Sequence, residues 1–161
     1  MNSYKEEIKI LALEVHKELI AYIKVHDYIR KEGASFISTI KNMLGFGVPM
    51  SKLLEDSEKL IPVWNKLSDN VEAFRNKVND TIKEDEMLYL NILCKYVKAV
   101  KETVFALVKR QKILNEQSKR VISKPNLLGS YMQSQNEYER LIKQYTAIGQ
   151  ELMDNSIIIF K

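Results

Sequence analysis

Leu90, Leu93, Val97, Val100, Val104 and Leu107 recur in alternating steps of three and four, and the pattern continues through Gln111, Leu114, Ser118 and Val121. Only a helix brings residues so spaced onto one face. A mean step of about 3.5 keeps that face against neighbours that cross at shallow angles. The same spacing runs through Leu53, Ser57, Leu60, Trp64, Leu67, Val71, Phe74 and Val78. Near the C-terminus Tyr131, Tyr138, Tyr145, Leu152 and Ile159 stand at intervals of seven, with Leu141 and Ile148 between them and Ser134 and Asn155 as polar exceptions. The N-terminal stripe is Tyr4, Ile8, Leu11, Val15, Leu19, Tyr22, His26, Ile29, Gly33, Ile37, Ile40 and Leu44. Its mean step is nearer the 3.6 of an almost straight helix.

Breaks between these stripes are few, because the 161 residues include only 5 Gly and 3 Pro. A β-rich or βαβ domain of this length needs more turn residues than that. Gly45-Phe46-Gly47-Val48-Pro49 ends one helix, and Lys124-Pro125-Asn126 with Gly129-Ser130 ends another. Asn79-Asp80-Thr81 is a weaker break. Ser3 with Glu6, Thr81 with Glu84 and Ser130 with Gln133 have capping-box spacing. The expected fold is all-α: a single-domain, long antiparallel up-down four-helix bundle with coiled-coil-like packing, its helices near 3–44, 51–79, 82–123 and 130–158. Fusion of the second and third helices into one rod is the alternative, and it would force dimerisation. Pro62, inside the second helix, predicts a kink or a restart.

Charged residues make up 29% and hydrophobic ones 45%, which excludes wholesale disorder. No apolar run approaches the ~20 residues of a membrane span, and no signal-peptide core follows the first charges. One cysteine, Cys94, allows no internal disulfide. These features predict a cytoplasmic protein.

The sequence does not read as an enzyme, and it implies no cofactor and no metal. Leu13 and Ile23 stand where inward-facing Glu would have to precede His16 and His26 in a helical di-metal site. His26 falls on the apolar stripe and is expected to hydrogen-bond a neighbouring helix from a buried position. Cys94 adjoins the seam and is expected to behave as a small apolar side chain. The acids Asp80, Glu84, Asp85 and Glu86 complement the positive end of a helix dipole.

Two surfaces remain. Residues 87–124 carry nine Lys/Arg against two acids, whereas the rest of the chain carries 16 against 19. Lys98, Lys101, Lys109 and Lys112 lie opposite the third helix's seam with Phe105 among them, a stripe suited to nucleic acid, an anionic membrane or an acidic protein. The first helix has a second apolar face, with Leu13 and Ile20 opposite its core stripe and Ile10 between the faces. Either this helix is the most enclosed of the four or that face meets another molecule. Phe46 and Val48 add an apolar loop that caps the core or dips into a partner groove or membrane. The expected function is protein–protein interaction by a non-catalytic bundle acting as scaffold or adaptor, with a homodimer as one form. Binding of an anionic surface through the third helix is the alternative.

Overall fold

The computed structural model describes residues 3–33, 49–118 and 126–160. Among them are five helices and no strand: α1 (Lys5–Gly33), α2 (Met50–Glu58), α3 (Leu60–Val78), α4 (Glu84–Ser118) and α5 (Asn126–Ile159). None is long and apolar enough to cross a membrane. Residues 34–44 of the expected first helix and 119–123 of the expected third lie outside the described residues.

Pro62 explains why the second rod comes in two pieces. Its missing N–H and its ring act on the carbonyl four residues back, which belongs to Glu58, and α2 ends there. Lys59 keeps right-handed helical dihedrals (φ −61°, ψ −22°), and its N–H still reaches the carbonyls of Glu55 and Ser57. The chain therefore restarts at once as α3, and α2 and α3 serve as one rod. Four rods result, all packed together. The turn at Asn79–Thr81 separates α3 from α4, with the amides of Thr81 and Ile82 both donating to the Val78 carbonyl at 3.0 Å. This overturns the fused-rod alternative.

α4 touches α1, α2, α3 and α5. Its expected seam is buried from Leu90 through Gln111. A second stripe one residue away is buried with it: Tyr89, Ile92, Tyr96, Ala99, Thr103, Ala106 and Arg110. Small side chains at Ala99, Thr103 and Ala106 fit the extensive packing of α4 on α5. At Gly149 a Cβ would stand 2.9 Å from the Tyr96 ring, so this glycine provides room for that ring. Trp64, the single tryptophan, is fully buried among the core residues.

On α1 the fully buried residues are Ile8, Val15, Tyr22 and Ile29, seven apart. From Tyr4 to Gly33 the expected stripe keeps its mean step near 3.6, with Leu11, Leu19 and His26 only partly buried. Only its four fully buried members recur at intervals of seven.

All three expected capping boxes are replaced by other bonds or another start. Ser3 Oγ and the Tyr4 amide both donate to the carboxylate of buried Glu86, each at 2.8 Å. An acid in the first turn of α4 thus caps the start of α1 from across the bundle. Thr81 Oγ donates to the Val78 carbonyl at 3.2 Å and lies 3.0 Å from the Tyr4 hydroxyl, and α4 starts later, at Glu84. Ser130 lies inside α5, which begins four residues before it. Tyr4 also meets Phe74 edge-on, so the start of α1 is bolted to the end of α3.

Two substitutions test these assignments by opposite signs. Glu86→Gln leaves one of two donors poorly matched and should cost about 1–2 kcal/mol in chemical unfolding, with faster amide exchange at the start of α1. Gln111 is fully buried, and neither amide atom has a hydrogen-bond partner. Gln111→Met should therefore stabilise by roughly 1–2 kcal/mol in the same assay.

Candidate functional site

α1 is attached through one narrow stripe, and the two faces of its outer surface follow from that. Ile10 is 64% exposed, Leu13 59% and Ile20 41%. The first helix is not the most enclosed of the rods; that place belongs to α4. The apolar second face of α1 is open to solvent, and Ile23 extends it.

Beside this face lies a groove between α1 and α5, floored by α4. Its volume is about 550 Å³, and its lining includes Val15, Leu19, Tyr89, Leu93, Tyr96 and Tyr145. No Lys, Arg, Asp or Glu lines it. His16, Thr146, Gln150 and Ser156 are its polar lining. Exposed apolar side chains stand beside it on both helices, Leu13 and Ile20 on α1 and Met153 and Ile157 on α5, the last two 56% exposed. The backbones of α1 and α5 do not pack along this stretch.

Where the two helices do meet, polar aromatic side chains span the gap. The Tyr22 and Tyr138 hydroxyls are 2.8 Å apart, and Tyr138 also hydrogen-bonds Nδ1 of His26. Tyr145 meets Tyr22 and Tyr96 edge-on at 6.2 and 6.3 Å between ring centres. Burial first, then the field and hydrogen bond of Tyr138, push the Tyr22 hydroxyl far above its ordinary pKa. Burial pushes Tyr138 up as well, and Tyr96 up to about 12. These phenols stay protonated, and Tyr22 and Tyr138 act as hydrogen-bonding struts. Burial holds His26 below its ordinary value, with Arg30 and Arg110 acting in the same direction and Asp27 against them. With its proton on Nε2, a neutral His26 accepts from Tyr138 at Nδ1 while Tyr138 accepts from Tyr22; with the proton on Nδ1 both bonds run the other way. The expected hydrogen bond from His26 to a neighbouring helix is present.

The basic stripe of α4 is largely occupied. Lys98 pairs with Glu72 of α3 at 3.2 Å, Lys109 with Glu137 of α5 at 3.1 Å and Lys112 with Glu58 of α2 at 3.2 Å. Lys101 is half-buried, and Phe105 is 42% exposed in a trough shared with Glu102, Lys109, Lys112, Glu137 and Arg140. Each ion pair is exposed and contributes at most about 1 kcal/mol. Together they place acids beside the lysines that an anionic surface would have to reach. Phe46 and Val48 lie outside the described residues. Burial pushes the Cys94 thiol up, and its Sγ lies 3.9 Å from the Val71 carbonyl. Among the described residues no cluster of His, Cys, Asp and Glu could hold a metal ion.

The groove was not legible in the sequence, although the helix faces beside it carried a signal. Leu13 and Ile20 on α1, and Met153 and Ile157 on α5, are apolar residues off the seams. No protein-family model matches the chain, and neither a curated protein nor a solved structure is significantly similar to it.

The His26 strut has a pH signature. Because its pKa is lowered on folding, the unfolded chain takes up the proton first as pH falls below about 6.5. Its contribution to stability is complete above that range and is lost through the window down to the folded-state pKa. Denaturation midpoints should drop across this window in the wild type and stay flatter in His26→Gln.

Proposed function

We propose that this protein is a non-catalytic helical module that works by protein–protein contact through the α1 face and its adjoining groove. The observation that carries the reading is a largely apolar groove, with His16, Thr146, Gln150 and Ser156 as its polar lining, flanked by exposed Leu13 and Ile20 on α1 and by Met153 and Ile157 on α5. Exposed apolar surface of this extent usually marks an interaction site. The non-catalytic part is supported by the engagement of three kinds of reactive side chain, since His26 and the tyrosines brace α1 against α5 and the Cys94 thiol is held protonated, which leaves His16 as the imidazole lining the groove. One unpaired, buried cysteine fits a cytoplasmic setting.

In this reading the four rods run alternately up and down with coiled-coil-like packing. Contacts of Tyr89 with Phe160, Tyr96 with Tyr145 and Lys109 with Glu137 support opposite directions for α4 and α5. Glu58 with Lys112 and Glu72 with Lys98 support the same for the α2–α3 rod and α4, as Tyr4 with Phe74 does for α1 and α3. The rigid frame then presents one open face. The ion pairs along α4 weigh against the anionic-surface alternative.

A photoreactive phenylalanine at position 13, in the protein expressed in its own cell, should give discrete protein adducts that the same group at position 105 does not. An adduct of twice 18.8 kDa would identify a second copy, and any other mass a different partner. Leu13→Glu/Ile20→Glu should lose the partner while unfolding within about 0.5 kcal/mol of wild type, as surface substitutions do. No adduct from position 13, or loss of helicity in the double variant, would defeat the reading.

A further inference from the structure

The charges around the groove say what kind of partner fits it. On a wheel of about 100° per residue, Leu13 and Ile20 form a ridge next to the groove's α1 wall. Lys9 flanks this ridge on the groove side, and Lys17 and Lys24 flank it on the other. Between residues 9 and 24 every acid of α1 lies elsewhere on the helix. Glu6 and Asp27 enter this face only beyond the ends of the ridge. All three lysines are exposed, and among the described residues none makes an ion pair. This is the reverse of α4, where three lysines are paired with acids on neighbouring helices. The α5 rim is mixed, with Glu139, Lys143 and Asp154.

A second copy of the chain fits this surface badly. A two-fold antiparallel pair of α1 helices with Leu13 opposite Ile20 would set Lys9 against Lys24 and Glu6 against Asp27. A parallel two-fold pair would set each lysine against its own copy. Like charges so placed oppose association.

The groove's form limits the occupant further. Its α1 wall runs from Ala12 to Ile23, about 17 Å at 1.5 Å per residue, or three helical turns. It is open along its length and flanked by exposed apolar side chains, which suits an extended ridge of anchors better than a small enclosed ligand. Resting on the protein–protein reading above, we infer that the α1–α5 groove binds an amphipathic helix of another protein, about three turns long, with acidic residues on the flank that faces α1. Its apolar anchors, spaced i, i+3/i+4 and i+7, enter the groove over Tyr89, Leu93 and Tyr96. Its acids lie along Lys9, on the groove side of the ridge, and reach Lys17 and Lys24 across the crest of Leu13 and Ile20. The mixed α5 rim fixes which way the helix is turned about its axis, since only one flank meets uniform charge.

A display library of 18-residue helix-forming peptides, unbiased in charge, selected on the full-length protein tests this. The expected result is enrichment of amphipathic sequences with acids on one flank. Their binding should weaken as salt rises and fall about tenfold in Lys17→Glu/Lys24→Glu. It should disappear in Leu13→Glu/Ile20→Glu with helicity retained. Enrichment of basic or uncharged helices, enrichment indifferent to both double variants, or no enrichment would overturn the inference. So would binding to phosphatidylglycerol vesicles, lost in the same variants, without peptide binding. A protein adduct from position 13 alongside any of these outcomes would leave the broader protein–protein reading standing, whereas absence of both would remove the two together.

Discussion

Everything in this bundle is referred to α4. It packs against all four of the others, most extensively against α5, and its two adjacent buried stripes enclose it on most sides. The rods around it can therefore be attached unequally without loss of the core. α5 lies close against the small residues of its second stripe. The α2–α3 rod, interrupted at Lys59, packs on α4 through both of its pieces. α1 is left with one row of four fully buried side chains. Packing density on α4 is what allows α1 to carry apolar residues that the core does not use.

The period of the apolar residues was enough to read the helices, their approximate limits and the seam of α4, because burial along a helix is a local pattern. Terms that depend on which rods become neighbours were not legible. The second stripe of α4 reads in sequence as an ordinary mixture of tyrosine, alanine, threonine and arginine, and only the approach of α5 makes it core. The capping boxes failed for the same reason. Ser3 has Glu6 at the right spacing but finds Glu86, which no local rule connects to it. Gly and Pro were informative where they interrupted the ladder, as Pro62 does at Glu58.

Charge was the most misleading local signal. The excess of lysine in residues 87–124 is real, yet Glu58, Glu72 and Glu137 come from three other helices to meet it. The lysines of α1 looked balanced in sequence because Glu6, Glu7, Glu14, Glu18 and Asp27 share the helix. Folding sorts them by face and leaves Lys9, Lys17 and Lys24 beside the apolar ridge. Net charge by segment and available charge by surface are different quantities, and only the second bears on binding.

The groove itself follows from the aromatic struts. Tyr22, Tyr138 and Tyr145 are too large to let α1 and α5 close to the distance that Gly149, Ala99 and Ala106 permit between α5 and α4. Their hydroxyls need partners once buried, and they find them in one another and in His26. Substituting small apolar residues there would remove both the spacer and the polar bridge, and α1 could settle against α5. The strut thus fixes the separation of the groove walls as well as joining them. A surface kept open by buried hydrogen bonds retains its shape before a partner arrives, so a helix entering it orders little besides itself.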